Sequence, residues 1–243
     1  MSLVSIIVPA YNAEKTIERA VYSCIAQSYK NIEIIVVDNL STDNTRSILQ
    51  KFTNDERVKV INCDEPGVSH ARNMGLANCK GRYVCFLDAD DELLVDSVSK
   101  RVGILNLEDT FFVSTAYIRR QGTDDKLING RSVNANLFNW CNPVGNLTGL
   151  YDTREIGIVY QEARHHEDYL MWWNIVELCG ERISYITDPT AIYHVTPGSL
   201  SSSFYKNLKG HFSILKQKNN KYNPMLLLYL INYIYNGLRK RFL

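Results

Sequence analysis

Tyr83-Val84-Cys85-Phe86-Leu87-Asp88-Ala89-Asp90-Asp91 is the stretch that decides the fold: five residues without polar alternation, stopped by three carboxylates in four positions. An apolar run of that length, bounded by polar residues, reads as a strand buried on both faces. Earlier segments share its grammar. Residues 4–8 are apolar until Pro9-Ala10-Tyr11-Asn12, residues 32–37 end at Asp38, and residues 58–61 form a third run. Helical spacing fills the gaps. Ile17, Ala20, Val21, Cys24 and Ile25 share one face, with Asn12 as the expected cap. Thr45, Ile48, Leu49 and Phe52 share another, with Ser41 or Thr42 as cap, and Gly67 to Asn73 opens a third helix. Buried strands alternating with helices predict a mostly parallel sheet with right-handed crossovers and helices on both faces, an α/β fold.

At 243 residues the chain can bury a substantial core. Apolar residues are 45% and charged residues 22%, and the formal net charge is +1, so nothing global points to nucleic acid. Six cysteines lack any C-x-x-C pair and several sit in apolar runs, as expected of reduced thiols in a cytoplasmic protein. Pro9 interrupts the first apolar run early, so the start reads as a buried strand and not as a signal peptide.

After Arg101 the rhythm changes. Residues 111–118 read as a strand, 119–145 are polar and turn-rich, 167–178 read as a helix, and 183–186 and 191–195 as two short strands. Residues 216–223 read as a Lys/Asn-rich connector to an apolar, tyrosine-rich tail ending in Arg239-Lys240-Arg241. This predicts one domain over 1–215, with a nucleotide-binding half (1–105) and an acceptor-binding half (106–215), then a C-terminal helical tail over 216–243.

In open α/β sheets ligands bind beyond the carboxyl ends of the strands. Tyr11-Asn12, Asp38 and Asp88/Asp90 all fall at such ends, so parallel strands bring them to one edge. Crowded carboxylates there repel one another unless a cation joins them, and hard oxygen ligands suit Mg²⁺ or Mn²⁺. The competing reading is an acidic loop capping the next helix.

Val-Ser-Ile-Ile-Val-Pro-Ala-Tyr-Asn-Ala, Val-Val-Asp-Asn-Leu-Ser-Thr-Asp-Asn-Thr, Gly-Val-Ser-His-Ala-Arg-Asn-Met-Gly and Phe-Leu-Asp-Ala-Asp-Asp, in that order, resemble glycosyltransferase family 2, enzymes of the GT-A fold. His-Glu-Asp-Tyr at 166–169 and the segment from His194 to Ser199 resemble later motifs. The resemblance implies an inverting, metal-dependent enzyme that moves a sugar from a UDP-sugar to a hydroxyl of a glycan or lipid-linked acceptor, as in bacterial O-antigen, capsule or lipopolysaccharide synthesis. It implies that Pro9, Tyr11, Asn12 and Glu14 shape the nucleoside pocket and Asp38 binds the base. Arg72 would lie near the nucleoside and diphosphate, Asp88 and Ala89 near the ribose or sugar, and Asp90 on the metal, with His194 a metal or diphosphate contact. Asp168 would be the general base and Glu167 its neighbour. One departure stands out: the family commonly has Asp-Asp-Gly-Ser after its second strand, and this chain has Asp38-Asn39-Leu40-Ser41.

Alternatives stay open from the residues alone. Glu167-Asp168 could be a plain acidic first helical turn, and the chain an inactive binding subunit. A sugar nucleotidyltransferase needs a Gly-rich loop after the first strand, and a dehydrogenase needs G-x-G-x-x-G there; Pro-Ala-Tyr-Asn is neither. Trp172 and Trp173 read as core, with Trp172 the better sugar-stacking face, and Asn146-Leu147-Thr148 as a donor-pocket lining. The tail is too short to span a bilayer. It suits either an interfacial helix on the inner face of the cytoplasmic membrane or a helix docked on protein.

Overall fold

The structure, a computed structural model, describes residues 1–107, 109–162, 166–195, 204–219 and 223–242. Four strands, β1 (Val4–Ala10), β2 (Ile32–Asp38), β3 (Val58–Asn62) and β4 (Tyr83–Phe86), alternate with α1 (Ile17–Ile25), α2 (Thr45–Gln50) and α3 (Val68–Asn78). Then come β5 (Glu92–Leu93), α4 (Ser97–Leu107), β6 (Phe112–Gln121), β7 (Asp124–Ile128), β8 (Leu150–Asp152), α5 (Thr153–Ile156), α6 (Glu167–Cys179) and β9 (Ile183–His194). Two helices close the chain, α7 (Phe204–Lys218) and α8 (Met225–Phe242).

One sheet runs through the molecule in the order β3-β2-β1-β4-β8-β6-β9-β5, with β7 extending β6. β1–β4 are mutually parallel, and β6 and β9 point the same way, because β8 pairs antiparallel with both β4 and β6. The apolar runs fill both faces. Ile6, Val8, Ile34, Val36 and Cys85 pack with Ile17, Val21, Leu49 and Val98 from α1, α2 and α4. Ile7, Val84 and Phe86 pack on the other side with Leu76 of α3 and Leu170, Trp172 and Val176 of α6. Each such side chain contributes roughly 1.5–3 kcal/mol by leaving water. α3 approaches β1 so closely that a Cβ at Gly75 would lie 2.4 Å from Ile7 Cγ2. All six cysteines are free.

Several local expectations change. α1 begins after Thr16, and Asn12 stands four residues earlier in a left-handed conformation (φ 47°). Asn44 precedes α2, while Asp43 Oδ1 accepts from Thr45 N (3.0 Å), so neither Ser41 nor Thr42 caps that helix. The two short strands near 183–195 are one strand, β9, which passes Pro189 opposite an irregularity in the β6 register. A proline needs no ladder donor at a bulge. Residues 216–218 extend α7 rather than opening a connector, and 220–222 lie outside the described residues.

Candidate active site

The registers put the carboxyl ends on one rim. Ala10 pairs with Asp38, and Ile7 with Phe86, two residues before Asp88. Pro9 lies beyond the last β1–β4 pair, where its missing N–H costs no ladder bond.

The loops after β1 and β2 are laced together. Asn12 N donates to Ser41 Oγ (3.0 Å), and Asn12 Oδ1 accepts from Thr42 N (2.8 Å). Ala13 N donates to Thr45 Oγ1 (2.8 Å), and Glu14 Oε2 accepts from Asn44 N (3.1 Å). Asn12 and Glu14 thus brace the two loops against each other, while Tyr11 stands 64% exposed beside them. Asp38 is fully buried, and its Oδ2 accepts from Arg46 Nε (3.1 Å) and Nη2 (2.9 Å). Its Oδ1 has no hydrogen-bond partner among the described residues, an acceptor held in reserve at the rim.

The departure at Asn39 has a structural use. Its amide donates to Cys63 O (3.1 Å) and Glu65 O (2.6 Å), and its Oδ1 accepts from Gly67 N (2.7 Å). A carboxylate could not make the first two bonds. Leu40, where the family commonly has glycine, adopts φ 62°.

Arg72 joins the two halves of the rim. Rising from α3 and nearly buried, it donates through Nη2 to Asp88 Oδ1 (2.7 Å), and through Nη1 to Glu167 Oε1 (3.1 Å) and Gln161 Oε1 (3.3 Å). Burial alone would lower its pKa, but Asp88, Glu167 and Asp168 outweigh burial and raise it. Glu167 is raised by burial despite Arg72 pulling it down. Asn146 Nδ2 also reaches Asp88 Oδ1 (3.3 Å), which puts the Asn146–Thr148 turn beside the acid cluster.

The three aspartates have different roles. Asp88 is committed to Arg72 and Asn146. Asp91 is buried and its pKa is pushed up to about 9 by burial and by Asp88 and Asp90; its Oδ1 accepts from His194 N (2.9 Å), pinning the end of β9. Asp90 lies between them, partly exposed, with its carbonyl accepting from Arg19 Nη2 (2.5 Å). His194 is on the same rim, but its Nε2 bonds Glu92 Oε1 (2.6 Å), which also pairs with Arg19 (3.2 Å). Ser199 lies outside the described residues. Among the described residues, no group of three or more His, Cys, Asp or Glu could hold a metal unaided. A single aspartate edge fits Mg²⁺ or Mn²⁺ in a nucleotide site, where phosphate and water supply the remaining oxygens.

On the other side, Glu167 and Asp168 form the first turn of α6, and Asn142 Nδ2 reaches Asp168 Oδ2 (3.4 Å). Trp172 is fully buried against Phe86, Phe112 and Tyr151, so it offers no face to a sugar. The exposed tryptophan is Trp140. Sequence reading missed Arg46, Glu92, Asn142 and Gln161. Only Glu92, directly following the acid cluster, carried a local signal.

A mixed sheet with Asp38 and Asp88 at one rim, and a second acidic pair across Arg72, is the layout expected of a sugar transferase of the GT-A fold. The chain matches the family model "Glycosyl transferase family 2" over residues 5–159. It is 33% identical to UDP-Glc:alpha-D-GlcNAc-diphosphoundecaprenol beta-1,3-glucosyltransferase WfaP of Escherichia coli, over 99% of this chain and 96% of that one. It is 31% identical to the putative teichuronic acid biosynthesis glycosyltransferase TuaG of Bacillus subtilis, over 98% and 97%. Among solved structures, S. aureus TarS 1-349 in complex with UDP-GlcNAc matches at TM-score 0.73 and 22% identity, over 97% of this chain and 73% of that one. Mannosyltransferase PcManGT from Pyrobaculum calidifontis, in complex with GDP-Man and Mn2+, matches at TM-score 0.68 and 20% identity, over 96% and 69%. The chain belongs to glycosyl transferase family 2 and is a glycosyltransferase.

Proposed function

We propose that this enzyme transfers a hexose from a UDP-sugar, with inversion, to a hydroxyl of a lipid-linked saccharide during cell-surface polysaccharide assembly. The observation that carries the reading is the single rim on which Asp38, Asp88 and Asp90 stand, tied through Arg72 to Glu167 beside Asp168. The relative named for a UDP-Glc donor and a diphosphoundecaprenol acceptor, alike over nearly its whole length, supports the substrate classes.

Tyr11 offers its ring to the base, Pro9 and Ala10 set the pocket floor, and Asp38 Oδ1 is the acceptor for a base N–H. Asn12 and Glu14 act by holding this wall rigid. Asp88 and the small Ala89 receive the ribose or sugar. Asp90 would hold Mn²⁺ or Mg²⁺, with His194 the second candidate to contact the ion or the diphosphate. The bound ion would neutralise charge on the departing diphosphate.

Asp168 accepts the acceptor hydroxyl's proton as that oxygen attacks the anomeric carbon and the bond to the diphosphate oxygen breaks. It stands in the first turn of α6, directly beside Glu167. Glu167, fixed by Arg72, orients the acceptor. A lipid-linked acceptor calls for a place on the cytoplasmic face of the membrane, and α8 is the candidate contact. No helix among the described residues is long and apolar enough to cross a membrane.

The test is UDP release from UDP-sugars with a lipid-diphosphate saccharide acceptor, with and without Mn²⁺. Asp168→Asn should abolish transfer while UDP affinity persists. Near-normal turnover in that variant, or metal-independent transfer by the unmodified enzyme, would refute the assignment.

A further inference from the structure

The net charge of +1 hides a strong asymmetry. Residues 189–243 hold eight Lys and Arg and no Asp or Glu, whereas residues 1–188 hold nineteen against twenty-six. The basic segment contains the last two helices.

α8 has two apolar faces with different fates. Leu226 is buried, and Tyr229 meets the Trp140 ring edge-on at 4.6 Å. Tyr233 stacks on His211 of α7 (4.1 Å, 13°), which itself stacks on Tyr169 of α6 (5.4 Å, 10°). That face docks α8 on the catalytic body. The opposite face does not dock: Leu227, Leu228, Ile231 and Tyr235 are 65%, 51%, 52% and 63% exposed. Positions 227, 231 and 235 recur at four-residue spacing with 228 beside them, so they form one outward stripe. Scattered exposed apolar side chains need no explanation, but a contiguous stripe does.

We infer that this outer stripe of α8 lies in the interface of an anionic lipid bilayer, and that α8 thereby sets the acceptor side of the active site against the headgroups. The inference deepens the proposed function and rests on it for the identity of the acceptor. The occupant is lipid because the stripe is apolar and the segment around it is purely basic. An apolar face with Arg and Lys nearby is the pattern that anionic bilayers retain, each basic residue near the surface adding to the attraction. The helix that carries the stripe also sits close to the chemistry. Asn232 Nδ2 reaches Trp140 O (3.4 Å), and two residues further on Asn142 contacts Asp168. Trp140, partly exposed beside α8, is of the residue type enriched at headgroup depth.

Vesicle co-sedimentation of the full chain tests this. The protein should pellet with phosphatidylcholine vesicles containing about one-third phosphatidylglycerol, and much less with phosphatidylcholine alone. Salt at about 1 M, where screening acts within ~3 Å, should weaken binding by on the order of 10-fold. The triple variant Leu227→Ser, Ile231→Ser, Tyr235→Ser should lose on the order of 100-fold in partitioning, at an unchanged thermal midpoint. In a second measurement, a solvatochromic dye on Ile231→Cys should shift to the blue on anionic vesicles. Absence of that shift, or full vesicle binding by a folded triple variant, would overturn the inference. So would light scattering that shows a dimer abolished by the same substitutions and undisturbed by vesicles. Binding is read without turnover, so loss of vesicle binding with transfer intact removes only this inference. Vesicle binding without any transfer removes the proposed function instead.

Discussion

Arg72→Met tests the joint between the two halves of the site. The methionine keeps the stem and removes the cation that Asp88 and Glu167 share at 2.7 and 3.1 Å. Deleting one member of a buried ion pair typically costs 3–5 kcal/mol. Asp88 is about a third exposed (32%), so water recovers part of its loss, whereas the Glu167 side chain, 16% exposed, has little such relief. A net loss of roughly 2–4 kcal/mol follows, or about 5–12 °C in Tm for a chain of this size. The pH dependence has a definite sign. Burial already raises the Glu167 pKa and Arg72 opposes that rise, so the variant raises it further. A carboxyl with a raised folded pKa binds a proton that the unfolded chain releases, so its contribution is greatest below the unfolded value and is lost as pH climbs through the folded one. The deficit of Arg72→Met should therefore be smaller near pH 5.5 than at pH 8. Urea denaturation followed by circular dichroism at both pH values measures it, and Arg72→Lys should recover part of the stability as a point charge without the fork. A loss below about 0.5 kcal/mol, or a deficit that grows on acidification, would refute the assignment of Arg72 as the cation between the two carboxylates.

Asp91, with its pKa near 9, should make stability fall as pH rises from about 4 towards 9. Asp91→Asn keeps an acceptor for His194 N and removes a slope of up to about 1.4 kcal/mol per pH unit, so its Tm advantage should widen between pH 7 and 9. Gly149→Ala would place a Cβ 2.5 Å from the buried Trp172 ring, and should cost about 1–3 kcal/mol by thermal melt. Leu40→Gly relieves a left-handed backbone at an exposed position, and should gain about 0.5–1 kcal/mol in the same assay.

The nucleotide half of the fold is legible because its strands are buried on both faces and so written as unbroken apolar runs. The rim is legible for the same reason: parallel strands end in register, and Asp38 and Asp88 stand at those ends. The Glu167-Asp168 pair is likewise where a helix start was expected. What was not legible depends on partners far along the chain. Asn39 looked like a lost carboxylate, yet its amide gathers the 63–67 loop, a contact with no local pattern. Residues 183–195 read as two short strands, but an irregularity in the neighbouring strand accommodates Pro189 and the two are one. Trp172 looked available for sugar because a helix sequence does not reveal which side meets the sheet. Residues 216–218 read as linker because a solvent-facing helical turn and a linker are equally polar.

The central claim is that one sheet rim holds both the base acceptor and the metal-binding carboxylate. Calorimetric titration of UDP into the wild-type protein, Asp38→Ala and Asp90→Asn, each with Mn²⁺ and with chelator, addresses it directly. Wild-type binding should strengthen with Mn²⁺, Asp90→Asn should erase only that increment, and Asp38→Ala should weaken binding under both conditions. Affinity indifferent to Mn²⁺ and to both substitutions would place the nucleotide elsewhere and contradict the account.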